Sequence, residues 1–254
     1  VGLARENIDA QLTANIETFG FKGYSYENAV IEGKLRYNLF DGSLVVRDDN
    51  VDFEFIGEIN LTEGIPFYNF DAYVRKLDLK KLNLSQQDLV LSGDLNLELQ
   101  NQSISDLEGE IDLQNFTIIK NQEEEYRLNS VLVTSQLDYF GNKTFKIDSE
   151  VLECHFYGIF DLDKIPNTLS YFFNKNYPGF SRKFGIKPPE KEVQPSTFDY
   201  RIRINDTKGL ETLITDKLGP ISNADVEGYY DGFKDSILID ISLPYLKYDQ
   251  IVLE

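Results

Sequence analysis

A glycine recurs on the apolar side of the strands that this chain writes. In FIGEINL, Phe55 to Leu61, strict alternation puts Phe55, Gly57, Ile59 and Leu61 on one face and Glu58 and Asn60 on the other. The same apolar-x-Gly-x-apolar-x-apolar pattern begins at Ile31 (IEGKLRY), Leu91 (LSGDLNL), Leu107 (LEGEIDL) and Phe156 (FYGIFDL). Glycine weakens a strand interior and surrenders packing area, so its repetition on the greasy face needs a physical reason.

The period of two extends well beyond these motifs. VVRDDNVDFEF, FYNFDAYVRKL, EYRLNSVLVTS and KTFKIDSEVLECHFYGIFDL all alternate. Turn signals separate them: FDGS at 40–43, RDDN at 47–50, TEGIP at 62–66 and FGN at 140–142. Helical periodicity is confined to three places. Residues 4–18 are compatible with a helical start, 168–177 (TLSYFFNKNY) predict a short helix ended by Pro178, and 207–218 place Leu210, Leu213, Ile214 and Leu218 on one stripe. Strands at this spacing with few helices predict an all-β, mainly antiparallel sheet. The stretch GIKPPEKEVQPST reads as a proline-rich linker or loop, dividing the chain into 1–184, 185–197 and 198–254.

Composition narrows the function. The net charge of −18 argues against nucleic acid, which needs clustered Lys and Arg; it fits a solvated outer face. No run of about 18 apolar residues predicts a transmembrane helix. The chain carries no Met and closes inside a strand-like stretch, so it reads as a segment of something longer.

Catalytic chemistry is nearly empty. Cys154, the single cysteine, and His155 are neighbours, but adjacent strand residues point to opposite faces and cannot form a dyad. Cys154 reads as a small core residue. Asp48-Asp49-Asn50-Val51-Asp52 imitates the start of a calcium loop, yet Phe53 stands where the sharp turn needs glycine. Glu123-Glu124-Glu125 reads as a solvated charge run. No phosphate loop, zinc spacing or nucleophile elbow occurs; no cofactor and no metal is implied, and an enzyme is not expected.

Two readings of the glycines remain. In one, a closed sandwich uses each glycine to admit an aromatic from a facing sheet. In the other, the apolar face lines a groove and glycine marks where the sheet bends. A secreted β-sandwich serving as a binding or adhesion module is the alternative function that goes with the first.

The order of the motifs carries a resemblance. Gly57-x-Ile59-x-Leu61 is followed by Pro66-Phe67-Tyr68-Asn69-Phe70, then by Leu77-Asp78-Leu79-Lys80-Lys81-Leu82-Asn83-Leu84. Later come SDLEGEIDLQNFTI at 105–118, VEGYYD from Val226 and PYLKY from Pro244. Over roughly residues 20–254 this succession resembles the TamB family of the Bacteroidetes type, relatives of AsmA-like proteins.

That resemblance implies a U-shaped hydrophobic trough, a β-taco, in a periplasmic conduit between inner and outer membrane. The implied partners are phospholipid acyl chains, an outer-membrane barrel of the TamA or BamA type, and the inner membrane through an anchor outside this segment. The implied functions are phospholipid transport and support of outer-membrane protein assembly. Its groove lining would be Leu35, Tyr37, Phe55, Gly57, Ile59, Leu61, Leu95, Leu97, Gly109, Ile111, Leu113, Phe156, Gly158 and Phe160. On this reading the glycines keep the face partly unfilled, leaving room for acyl chains. Phe172, Phe173 and Tyr177, beside Pro178, are expected as a lid over the groove end or an exposed interaction surface.

Overall fold

The computed structural model describes residues 9–62, 64–100, 107–190, 194–215, 217–249 and 251–253. Alternation dominates, as expected. Its strands are β1 Asp9–Phe21, β2 Tyr24–Arg36, β3 Leu39–Arg47, β4 Val51–Asn60, β5 Phe67–Asp78, β6 Leu89–Gln100 and β7 Glu108–Lys120. They continue as β8 Glu124–Leu137, β9 Lys143–Ser149, β10 Leu152–Ile159, β11 Thr197–Asp206, β12 Ser222–Asp231 and β13 Ser236–Ser242. Among the described residues these thirteen hydrogen-bond in one sheet in sequence order, while β14 Leu246–Tyr248 and β15 Ile251–Leu253 form a separate hairpin. The fold is therefore all-β and mainly antiparallel. Among the described residues three short α-helices interrupt it: α1 Ile165–Asn176, α2 Pro178–Phe184 and α3 Glu211–Ile214.

Two compact units divide the chain inside β8. The first comprises residues 1–101 and 109–133, the second 102–108 and 134–254. The proline-rich stretch is not this boundary; after it the chain returns to pair β11 with β10, Gly158 opposite Phe198.

In the first unit, the loop between β5 and β6 folds back over the sheet. Buried Asp78 accepts from the Lys81 backbone N–H at 3.0 Å, fixing a turn that aims Leu82 inward. Leu82 is 0% exposed and packs with Tyr26, Ala29, Val46 and Val51 of β2, β3 and β4. In the second unit, α1 covers the apolar face of the sheet. Phe172, 2% exposed, joins Phe160, Phe198 and Tyr230 in an aromatic core, with Phe173 packed against it.

Several local expectations are corrected. The part of 4–18 that is described is strand, because Leu12, Ala14 and Ile16 of β1 pair with Gly33, Ile31 and Ala29 of β2, which overrides a weak helical preference. FDGS is strand interior, with Gly42 between Gly33 and Gly57. The helix in 207–218 shrinks to Glu211–Ile214, since Asp206 and Thr207 are spent on turns and Gly219 donates to Lys247 O at 2.8 Å. The helix at 168–177 exists and starts earlier, at Ile165, with Pro166 in its first turn.

Candidate functional site

Strand register collects the apolar faces of the first unit into rows that cross the sheet. One row reads Ala14, Ile31, Leu44, Phe55, Ala72, Leu95, and the next Leu12, Gly33, Gly42, Gly57, Phe70, Leu97. A third, nearer the other end of the strands, reads Leu35, Phe40, Ile59, Tyr68, Leu99. The opposite face carries Glu32, Asp41, Glu58, Asp71, Asn96 and Glu98, broken by exposed Ile56 and Tyr73. Alternation in the sequence becomes one continuous apolar surface because each residue pairs with one on the same face.

The two ends of that surface differ. Leu82 closes the end at Tyr26 and Val46. At the other end Leu35, Tyr37, Phe40, Ile59 and Leu61 surround a cavity of about 400 Å³. Four of these, Leu35, Tyr37, Ile59 and Leu61, are among the lining residues expected from the resemblance. Phe55 sits deeper at 6% exposure, its ring 4.8 Å from that of Phe70 and 6.1 Å from that of Phe40. Leu95, Leu97, Gly109, Ile111 and Leu113 are partly buried on β6 and β7.

The glycines are not empty space. A Cβ on Gly57 would lie 2.3 Å from Asn69 O and 2.5 Å from the Phe70 Cα, and one on Gly109 2.0 Å from Glu98 O. Their φ angles, 149° and 130°, belong to backbone that side chains rarely adopt. The neighbouring strand's backbone therefore fills the volume that the unfilled-face reading assigned to lipid. Glycine permits a sharp bend and close strand approach, and the residue across the strand is aromatic at Gly57 (Phe70) and at Gly158 (Phe198). Such a pairing within one sheet is what covers a strand glycine; the aromatic does not come from a facing sheet.

In the second unit the expected lining residues Phe156, Gly158 and Phe160 lie in packed surroundings. Phe156 stacks on Tyr200 at 5.8 Å and Phe160 is buried with Phe172 of α1. Phe172 and Phe173 pack into this core, and of the trio Phe172, Phe173 and Tyr177 only Tyr177 is exposed.

The catalytic candidates resolve as structural groups. Cys154 shares its row with Ile147, Ile202 and Val226, and burial pushes its thiol up to about 11, so it stays protonated. His155 points to the opposite face, beside Lys146 and Arg201. Asp48 accepts from the Tyr24 hydroxyl at 2.5 Å and from the backbone of Asn50 and Glu27. Burial pushes its carboxyl up, but these bonds outweigh it and hold the group below the usual carboxylate range. Asp52 pairs with Arg47 at 2.6 Å and Arg75 at 3.3 Å. Among the described residues no three His, Cys, Asp or Glu side chains are placed to hold a metal.

One cavity was not legible in the sequence. His155, Tyr157, Arg201, Glu227, Tyr229 and Asp240 border about 390 Å³ on the polar face of β10 to β13. Arg201 donates to Glu227 there, so the central charges satisfy each other. Among the described residues no helix is long and apolar enough to cross a membrane. No protein-family model, curated protein or solved structure matches the chain.

Proposed function

We propose that the apolar face of the first unit holds lipid acyl chains, and that the chain is a stretch of a periplasmic conduit for phospholipid between inner and outer membrane. On this reading the parent protein is anchored in the inner membrane by a part outside this segment. It delivers lipid toward, or supports assembly with, an outer-membrane barrel of the TamA or BamA type. The observation that carries the proposal is the apolar surface of the first unit, closed at Leu82 and ending in the cavity beside Leu35 and Ile59. Removing a methylene from water is worth about 0.8 kcal/mol, so a mainly apolar surface suits a hydrocarbon tail, with Arg36 and Asn38 as the polar residues at the cavity.

The test is photocrosslinking in cells that carry the parent protein. A photoreactive residue at Leu35 or Ile59 is expected to capture lipid, and one at Asp41 or Glu58 is not, because these positions lie on opposite faces. Equal labelling on both faces, or none on either, overturns the proposal.

A further inference from the structure

One end of the strands in the second unit carries exposed aromatic rings on three connections. The row Lys143, Gly158, Phe198, Tyr230 marks that end, and three connections leave from it. The β8–β9 turn raises Tyr139 and Phe140, 96% and 82% exposed. Helix α2, in the β10–β11 connection, raises Phe180 and Phe184, and the β12–β13 turn raises Phe233, 69% exposed. Burial of such rings is the ordinary outcome, and three tips of one end each leaving theirs in water marks a surface with a use.

These tips are held firmly. Asp138 accepts from the backbone N–H groups of Phe140 and Asn142, both at 2.8 Å. Asp231 does the same for Phe233 and Lys234 at 3.0 Å. α2 ends at Gly185 in the left-handed conformation, with Ile186 N–H donating to Ser181 O at 2.9 Å. Asn174 donates to Ile186 O at 3.2 Å, and Lys175 of α1 pairs with Asp235 of the β12–β13 turn. The rings of Phe173, Phe180 and Phe184 follow one another at 5.3 and 4.5 Å.

Charge points the same way. Residues 164–189, between Asp163 and Glu190, contain five Lys or Arg and no Asp or Glu, in a chain whose net charge is −18. Arg182, Lys183 and Lys187 have no carboxylate partner among the described residues, and Lys183 lies 5.6 Å from the Phe184 ring centre. The acids nearby, Asp138, Asp231 and Asp235, are occupied by turn N–H groups or by Lys234 and Lys175.

We infer that this end of the second unit docks on the surface of a bilayer containing anionic phospholipid. The aromatic tips enter the headgroup region, and Arg182, Lys183 and Lys187 meet the phosphates. Aromatic rings beside Lys and Arg are the composition of a membrane interface. Separate protruding tips suit a fluid surface, which needs no matching shape, better than a protein partner, which does. At physiological salt, charges beyond about 8 Å are largely screened, so the local cations act despite the acidic remainder. The inference does not depend on acyl chains entering the first unit.

The chain has no Trp, so Phe140→Trp, Phe184→Trp and Phe233→Trp each supply a unique reporter. With phosphatidylglycerol-containing vesicles all three are expected to shift emission to the blue, and with pure phosphatidylcholine vesicles none. In flotation, Arg182→Glu/Lys183→Glu/Lys187→Glu is expected to weaken binding at least about a hundredfold. Phe140→Ser/Phe184→Ser/Phe233→Ser is expected to weaken it at least about tenfold, both variants keeping the far-UV spectrum of the parent. Leu35→Asp, in the first unit, is expected to leave flotation unchanged while abolishing lipid capture there, which separates the two proposals. Absence of binding, equal binding to both vesicle types, or flotation indifferent to these substitutions overturns the inference. So does self-association in solution that the same substitutions abolish.

Discussion

At the scale of single residues, the repeated glycine is a statement about backbone. Gly57 and Gly109 stand where the adjacent strand leaves no room for a Cβ and where φ is unfavourable for any side chain. Gly57→Ala and Gly109→Ala are therefore expected to cost about 2–4 kcal/mol each, read as a lowered denaturant midpoint. Gly20→Ala, with open space around the new methyl, is expected to stay within about 0.5 kcal/mol. If Gly57→Ala is as benign as Gly20→Ala, the close-approach account of the repeat is wrong. The repeat was plain in the sequence and its cause was not, because the clash lies with atoms of another strand.

At the scale of elements, the two units close their apolar faces by different devices. The first uses a loop, LDLKKLNL, that looks like a continuing strand pattern in sequence. Its Leu82 has no accessible surface, so Leu82→Ala is expected to cost about 2–5 kcal/mol. Limited proteolysis should then cut within 79–88 faster than in the parent chain. Stability and cleavage like the parent's would mean that this loop is not the closure. The second unit uses α1, whose pattern was legible in TLSYFFNKNYP because the chain there leaves the period of two. α2 was not anticipated: PGFSRKFG is short, and a seven-residue helix depends on its neighbours. The helical stripe at 207–218 misled because its ends are tied into turns that only the folded chain supplies.

At the scale of the whole molecule, the chain carries a charge of −18, and Glu32, Asp41, Glu58, Asp71 and Glu98 stand together on the polar face of the first unit's strands. Self-repulsion of that kind opposes the compact state and is screened by salt. The melting temperature is expected to rise as sodium chloride is raised from low ionic strength to about 0.15 M; a fall would mean that the ion pairs of Arg47, Arg75 and Arg203 outweigh the repulsion. The amino-acid sequence by itself determined that the chain is antiparallel β, which faces are apolar, and that Cys154 and His155 cannot act together, since each follows from the two-residue period of one strand. Only the tertiary structure decided that backbone fills the glycine positions and that Leu82 and Phe172 close two apolar faces. It alone also gathered the exposed rings of Tyr139, Phe140, Phe180, Phe184 and Phe233 at one end. Those facts depend on which strand lies beside which and on where the connections fold back, and contacts between residues distant in sequence leave no local period to read.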